Sequence, residues 1–191
     1  MAYLYHGSIV SGITTLEARS QLHGTDKAVV YLTDSIPYAL FYIWDNQQTG
    51  FDRKYVTGGF RDGQAFYEEQ FPDQLRTFYQ GVSGYLYRIQ RPGKAQAVAQ
   101  RDGLFWQEGS VTVADAVFIS DVYAELLKYE AAGYLNILRF NDQTDARKEE
   151  LTRMIAEYIR QSQFFTDDEE QLRFMQKHFT AAWRYAHEQG K

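Results

Sequence analysis

The run Ala28-Val29-Val30-Tyr31-Leu32-Thr33 leads directly into Asp34-Ser35-Ile36-Pro37. The first segment is β-branched and aromatic and too short for a buried helix, so it reads as an internal strand. In the second, Asp34 or Ser35 offers a side-chain acceptor to the free N–H groups of a helix start, and Pro37 is tolerated in a first turn. A strand that turns straight into a helix over about 36–45 is therefore expected, with Ala39, Leu40, Ile43 and Trp44 at helical spacing.

Upstream, Tyr3 to Tyr5 is a brief apolar run stopped by His6-Gly7-Ser8, and 16–22 reads as a short helix. Downstream, strands are expected over 54–60, 64–69 and 85–89. Arg61-Asp62-Gly63 makes a hairpin turn between the first two, and a short helix near 72–79 precedes the third. Residues 91–103 are polar and loop-like, and 110–119 is strand-rich. Ser120 or Asp121 caps a helix that Gly133 ends, and 134–140 is a further strand. From Thr144 onward the pattern turns wholly helical. One helix carries Leu151, Met154, Ile155 and Tyr158. A second opens on the capping box Thr166-Asp167-Asp168-Glu169 and carries Leu172, Met175, Phe179, Ala182, Trp183 and Ala186. The expected architecture is α+β: a β-rich body over 1–141 with a helical hairpin over 142–191 packed on it as one compact domain.

Composition bounds the chemistry. The chain has 191 residues, 45% of them apolar and 24% charged, ordinary proportions for a globular domain large enough to hold a core without staples. It has no cysteine, which excludes thiol catalysis, disulfides and Cys-type metal sites. With 20 Lys plus Arg against 25 Asp plus Glu the net charge is −5, so no basic footprint signals nucleic acid. No apolar run approaches the ~20 residues of a membrane span, and the first residues lack the basic and apolar regions of a signal peptide, so a cytoplasmic location is expected. No metal site is expected either. His178 and His187 stand nine apart on one helix, and His23 lies in a turn without an acidic cluster.

His6 is the first candidate for chemistry, because a strand end holds its imidazole while Gly7 permits close approach to the backbone. Taken alone, His-Gly-Ser is explained better as a surface turn with a bystander histidine. Tyr31 and Tyr42 by themselves read as core or rim aromatics among fifteen tyrosines. What raises the signal is their combination: Leu4-Tyr5-His6-Gly7-Ser8, then Tyr31-Leu32-Thr33-Asp34, then Tyr42 eleven positions beyond Tyr31, with Ala39 between.

Over about residues 3–45 this combination resembles the ADP-ribosyltransferase fold, in the branch of poly(ADP-ribose) polymerase and diphtheria-toxin catalytic domains that uses a His, Tyr, Glu triad. The resemblance implies a split antiparallel β-sheet body and NAD as co-substrate. It implies that His6 bonds a ribose hydroxyl, that the Gly7 backbone and the Ser8 hydroxyl bond the carboxamide, and that Tyr31 and Tyr42 sandwich the nicotinamide ring. The third element would be a Glu at the start of a later strand, stabilising the positive charge that develops as the glycosidic bond breaks. Glu108, just before the strand expected from Ser110, is the choice; Glu68 and Glu69 compete, while Glu125 and Glu130 fall on an expected helix. His6, Tyr31 and Glu108 are thus the expected catalytic residues.

The aromatic-rich strand that follows the Glu in the polymerases is replaced here by Gly109-Ser110-Val111-Thr112-Val113. Mono-ADP-ribosyl transfer to a protein or nucleic-acid acceptor is accordingly the leading expectation. The alternatives are an inactive relative that binds partners through the helical hairpin, and an RNA 2'-phosphotransferase-like enzyme needing arginines such as Arg19, Arg53 or Arg61 for the RNA phosphate.

Overall fold

The computed structural model describes residues 2–22, 24–46, 56–161 and 169–188, the last segment with side chains over 172–187. The chain is α+β, with antiparallel sheets, and divides into two compact units: residues 1–44, 58–67 and 79–137, and residues 45–57, 68–78 and 138–191.

The first unit begins with β1 (Tyr3–Ser8), β2 (Thr15–Leu16), β3 (Ser20–Gln21) and β4 (Ala28–Thr33), then α1 (Ile36–Leu40). Residues 16–22 are therefore strand and connection rather than a helix. Leu16 pairs with Val111 and Ser20 with Val29, and these distant partners override the local helical spacing. Ser35 caps α1 as expected, its Oγ accepting from Tyr38 N, with Pro37 in the first turn. The helix is shorter than its apolar spacing suggests, because Tyr42 N and Ile43 N bond three residues back, to Ala39 and Leu40, and tighten the chain out of α geometry.

β5 (Gly58–Arg61) and β6 (Gln64–Glu68) form the expected hairpin. Arg61 pairs with Gln64, and Asp62 and Gly63 both take positive φ, the conformation a two-residue turn between twisted strands demands. Of the strand expected over 54–60, residues 54 and 55 lie outside the described residues. The helix α2 (Gln74–Tyr79) leads to β7 (Gly84–Gln90), β8 (Gln96–Ala97), β9 (Leu104–Glu108), β10 (Val111–Thr112) and β11 (Asp115–Ile119). Glu108 thus ends a strand instead of preceding one. Next, α3 (Val122–Ala131) is capped by the Asp121 carboxylate, 2.8 Å from Ala124 N, and β12 (Leu135–Leu138) joins β6 and β5 in a three-stranded sheet.

The main sheet runs β11-β7-β1-β4-β9-β8, with β3 also on β4. Its pairing is uneven. β1 pairs with β7 over six residues and β4 with β9 over five, but β1 and β4 meet at the single pair Tyr5↔Thr33. Side chains alternate along a strand and directly paired residues share a face. One face therefore carries Leu4, His6, Ser8, Val30, Leu32, Phe105, Gln107 and Tyr87; the other carries Tyr5, Gly7, Val29, Tyr31, Thr33, Trp106 and Glu108. On the first, Leu4, Val30, Leu32, Tyr87 and Phe105 pack with Leu16 and Val111 of the small β2–β10 sheet. Each buried aliphatic or aromatic side chain there contributes roughly 1.5–3 kcal/mol.

In the second unit, α4 (Asp145–Gln161), α5 (Glu169–His178) and α6 (Thr180–Glu188) succeed one another, so three helices stand where the sequence suggests two. The interruption falls at Phe179. The Thr180 hydroxyl donates to the main-chain oxygens of Gln176 and Lys177, competing with the helix's own ladder. On α4, Leu151 and Ile155 are buried while Met154 and Tyr158 are about half exposed, so only part of the expected apolar stripe is covered. The capping box over 166–169 lies largely outside the described residues. Phe71 and Phe174 pack on the ring of His178, whose centroid lies 4.6 Å from Phe71 and 4.3 Å from Phe174, and Phe179 packs edge-on against Phe71.

Candidate functional site

Beyond the Tyr5↔Thr33 pair, β1 and β4 form no further pair among the described residues, and the sheet opens into a gap. Both strands keep their outer partners, β7 and β9. Main-chain groups of 6–8 and 30–31 that turn away from those partners therefore face the gap, while on the same edge of β4 Val29 pairs with Ser20 of β3. One pair of groups meets across it: His6 Nδ1 lies 3.2 Å from the main-chain oxygen of Tyr31. A carbonyl oxygen only accepts, so this bond requires the proton on Nδ1 and assigns the lone pair of the neutral ring to Nε2. His6 and Tyr31, 25 residues apart in sequence, are thus brought together.

Gly7 is explained first by packing. A Cβ built on it would lie 2.1 Å from the main-chain oxygen of Ala39, so only glycine lets the end of α1 press against β1. The neighbour that approaches this backbone closely is the helix. Ser8 Oγ accepts from Val10 N at 3.2 Å, an ST-type turn that closes the strand.

On the other face of the sheet, the Tyr31 hydroxyl donates to Gln21 O at 3.4 Å. Tyr42 stands beside Tyr38, ring centroids 5.5 Å apart and hydroxyls 3.1 Å apart. Burial pushes the Tyr42 hydroxyl well above its usual pKa, the neighbouring Tyr38 adds to the rise, Arg101 opposes it, and Tyr31 contributes last. The Tyr38 ring lies 4.8 Å from the ring of Phe60 in a tilted contact. The turn leading into α1 is clamped to the loop before β9: Thr33 Oγ1 donates to Gly103 O at 2.7 Å, and Asp34 N donates to the same oxygen at 3.1 Å.

Glu108, opposite Val29, projects on the Tyr31 face, and Lys27 Nζ holds its carboxylate at 2.5 Å with both side chains about half exposed. The sheet therefore places Tyr31 and Glu108 on one face and His6 and Ser8 on the other. The competing glutamates have structural employment. Buried Glu69 accepts from Leu75 N and Phe140 N, each at 3.1 Å, and Glu68 takes a two-pronged bond from Arg147. Glu125 is paired with Lys128.

Sequence reasoning passed over Gln107, which shares the His6 face. Its Oε1 is buried and has no hydrogen-bond partner among the described residues. The signal lay in the same Trp106-Gln107-Glu108 segment, but only the pairing Val30↔Gln107 reveals which member faces His6. Of the arginines considered for RNA phosphate, Arg61 stacks over Phe66 at 5.0 Å, Arg19 is exposed, and Arg53 lies outside the described residues. No group of three or more His, Asp or Glu that could hold a metal occurs among the described residues, and no helix among them is long and apolar enough to cross a membrane. Comparisons with protein-family models, curated proteins and solved structures return no match for this chain.

Proposed function

We propose that the chain is an ADP-ribosyltransferase-like enzyme that binds NAD with its nicotinamide riboside end in the gap between β1 and β4. The observation that carries this reading is the single-pair junction of those strands, bridged by His6 Nδ1 on Tyr31 O. The gap offers main-chain donors and acceptors to a carboxamide, an imidazole fixed in one tautomer, and the Tyr31 and Tyr42 rings beside it. These are the groups the nicotinamide riboside end requires.

In the reaction the glycosidic bond between ribose C1' and the nicotinamide nitrogen breaks and nicotinamide leaves with the bonding pair. An oxygen or nitrogen of a protein or nucleic-acid acceptor bonds to C1' and releases its proton to water. Positive charge develops on the ribose, and Glu108 is the β9 carboxylate proposed to face it, released from Lys27 on binding. The test is incubation with NAD, chromatographic assay of free nicotinamide, and mass spectrometry of acceptors, for the wild type and Glu108→Gln. Release by the wild type and its loss in the variant are expected. NAD binding without nicotinamide release would instead favour a binding-only relative. That second reading is motivated by the Lys27 pairing of Glu108 and its place on the face away from His6.

A further inference from the structure

We infer that a hollow of about 210 Å³ between the main sheet and α3 binds a small zwitterion of the free amino-acid class, one with an apolar side chain. The hollow lies across β1 from the gap and uses none of the residues assigned to NAD.

Strand register builds its floor. Leu86 pairs with Val117, and Ile119 lies two residues further along the same face, so three apolar side chains stand together; Ile36, which opens α1, adds a fourth. The polar groups come in two sets. Arg88, two residues from Leu86, is directly opposite Tyr5 on the neighbouring strand. Glu125 and Tyr129, four apart, share one face of α3 and line the hollow from the helix side.

Volume narrows the occupant. Sites for drug-sized ligands run to about 300–1,000 Å³, so this hollow suits a smaller metabolite and not a dinucleotide.

Charge narrows it further. Each charged residue spends one atom on a neighbour that does not line the hollow and keeps another unspent. Arg88 Nη2 donates to Asp115, but Nη1 and Nε make no hydrogen bond among the described residues. Lys128 holds Glu125 Oε2 at 2.6 Å, whereas Oε1 accepts nothing among them. The side-chain hydroxyls of Tyr5 and Tyr129 likewise bond to no other described residue. Burial raises the Tyr129 pKa, and Glu125 and then Tyr5 add to the rise, so this hydroxyl stays protonated.

One guanidinium and one carboxylate leave the walls without net charge. A lone anion would meet Glu125 and a lone cation would meet Arg88, and such like-charge contacts cost affinity. A zwitterion satisfies both: its carboxylate accepts from Arg88 and the Tyr5 hydroxyl, and its ammonium donates to Glu125 Oε1 and the Tyr129 oxygen. Its hydrocarbon side chain then covers Leu86, Val117 and Ile119.

The experiment is calorimetric titration with L-phenylalanine and L-leucine, and with two analogues that each lack one charge, phenethylamine and hydrocinnamate. It compares wild type, Glu125→Gln and the near-isosteric Tyr129→Phe. The wild type should bind an amino acid saturably and both analogues at least about ten-fold more weakly, the worth of one hydrogen bond between charged groups. Glu125→Gln should weaken amino-acid binding by about ten-fold or more and Tyr129→Phe by about three- to ten-fold, with the unfolding temperature and NAD affinity of both unchanged. Amino-acid binding by a wild type that does not bind NAD would support this inference while removing the reading of the gap. No binding of either amino acid at millimolar concentration overturns the inference, as does an analogue that binds as tightly as L-phenylalanine, or equal binding by both variants.

Discussion

The imidazole of His6 bridges to the main-chain oxygen of Tyr31 at 3.2 Å, across the place where β1 and β4 part after a single residue pair. The bond gives the histidine a structural and a chemical role at once. Replacing it with alanine should cost about 0.5–1.5 kcal/mol of stability, the net worth of one hydrogen bond. NAD binding should fall by at least ten-fold, because the imidazole no longer faces the gap. Denaturant unfolding and calorimetry on His6→Ala check the two separately; unchanged NAD affinity would remove His6 from the site.

Gly7 is the most demanding position in the strand. An alanine Cβ would overlap the Ala39 main-chain oxygen, and neither partner is a flexible side chain that swings away. Gly7→Ala should therefore destabilise by about 1–3 kcal/mol, as overpacking in a well-filled core does. A drop in the urea midpoint measures this, and a neutral result would show that α1 sits farther from β1 than described.

The Lys27–Glu108 pair is exposed, and such pairs contribute about 0–1 kcal/mol. Lys27→Ala and Glu108→Gln should each leave the unfolding midpoint almost unmoved. Glu108→Gln should nonetheless abolish nicotinamide release, a separation between stability and activity that a merely structural glutamate would not give.

Glu69 is the opposite case. It is 4% exposed and caps two main-chain N–H groups, at Leu75 and Phe140. Glu69→Ala leaves both without that acceptor and should cost about 2–4 kcal/mol, hydrogen bonds to charged groups being the stronger kind. NAD binding by whatever fraction stays folded should be unaffected. If Glu69→Ala removes nicotinamide release at full stability, the catalytic glutamate has been misassigned.

His178 gives the second unit a pH dependence. Burial among Phe71 and Phe174 lowers its pKa from the ordinary 6.5, with Lys177 adding to the effect. The folded state then binds the proton less readily than the unfolded chain, so the contribution is complete above about pH 6.5 and lost as pH falls below it. Thermal unfolding from pH 8 to pH 5 should show a steeper fall for the wild type than for His178→Phe. Parallel curves would refute the assignment.

What was legible in the sequence was local. The β-branched run at 28–33, the Ser35 cap with Pro37, the Asp62-Gly63 turn and the Asp121 cap each carry their own physical signal and appear as expected. What was not legible depends on distant partners. β9 mixes Leu, Phe, Trp, Gln and Glu and has no strand signature; it is a strand because five of its residues pair with β4. The same pairing decides that Glu108 shares the Tyr31 face and Gln107 the His6 face, which no spacing rule within Trp106-Gln107-Glu108 reveals. Likewise 16–22 reads as a short helix but is claimed by β10 and β4, and at the break at Phe179 the Thr180 hydroxyl bonds the carbonyls of Gln176 and Lys177.

The most direct test of the account maps the ligand onto the chain. In a nitrogen-edited NMR titration with NAD, the account predicts saturable shifts largest at the amides of 6–8 and 29–32, with Tyr31→Ala abolishing them. No shift at millimolar NAD, or shifts centred away from β1 and β4, would contradict it.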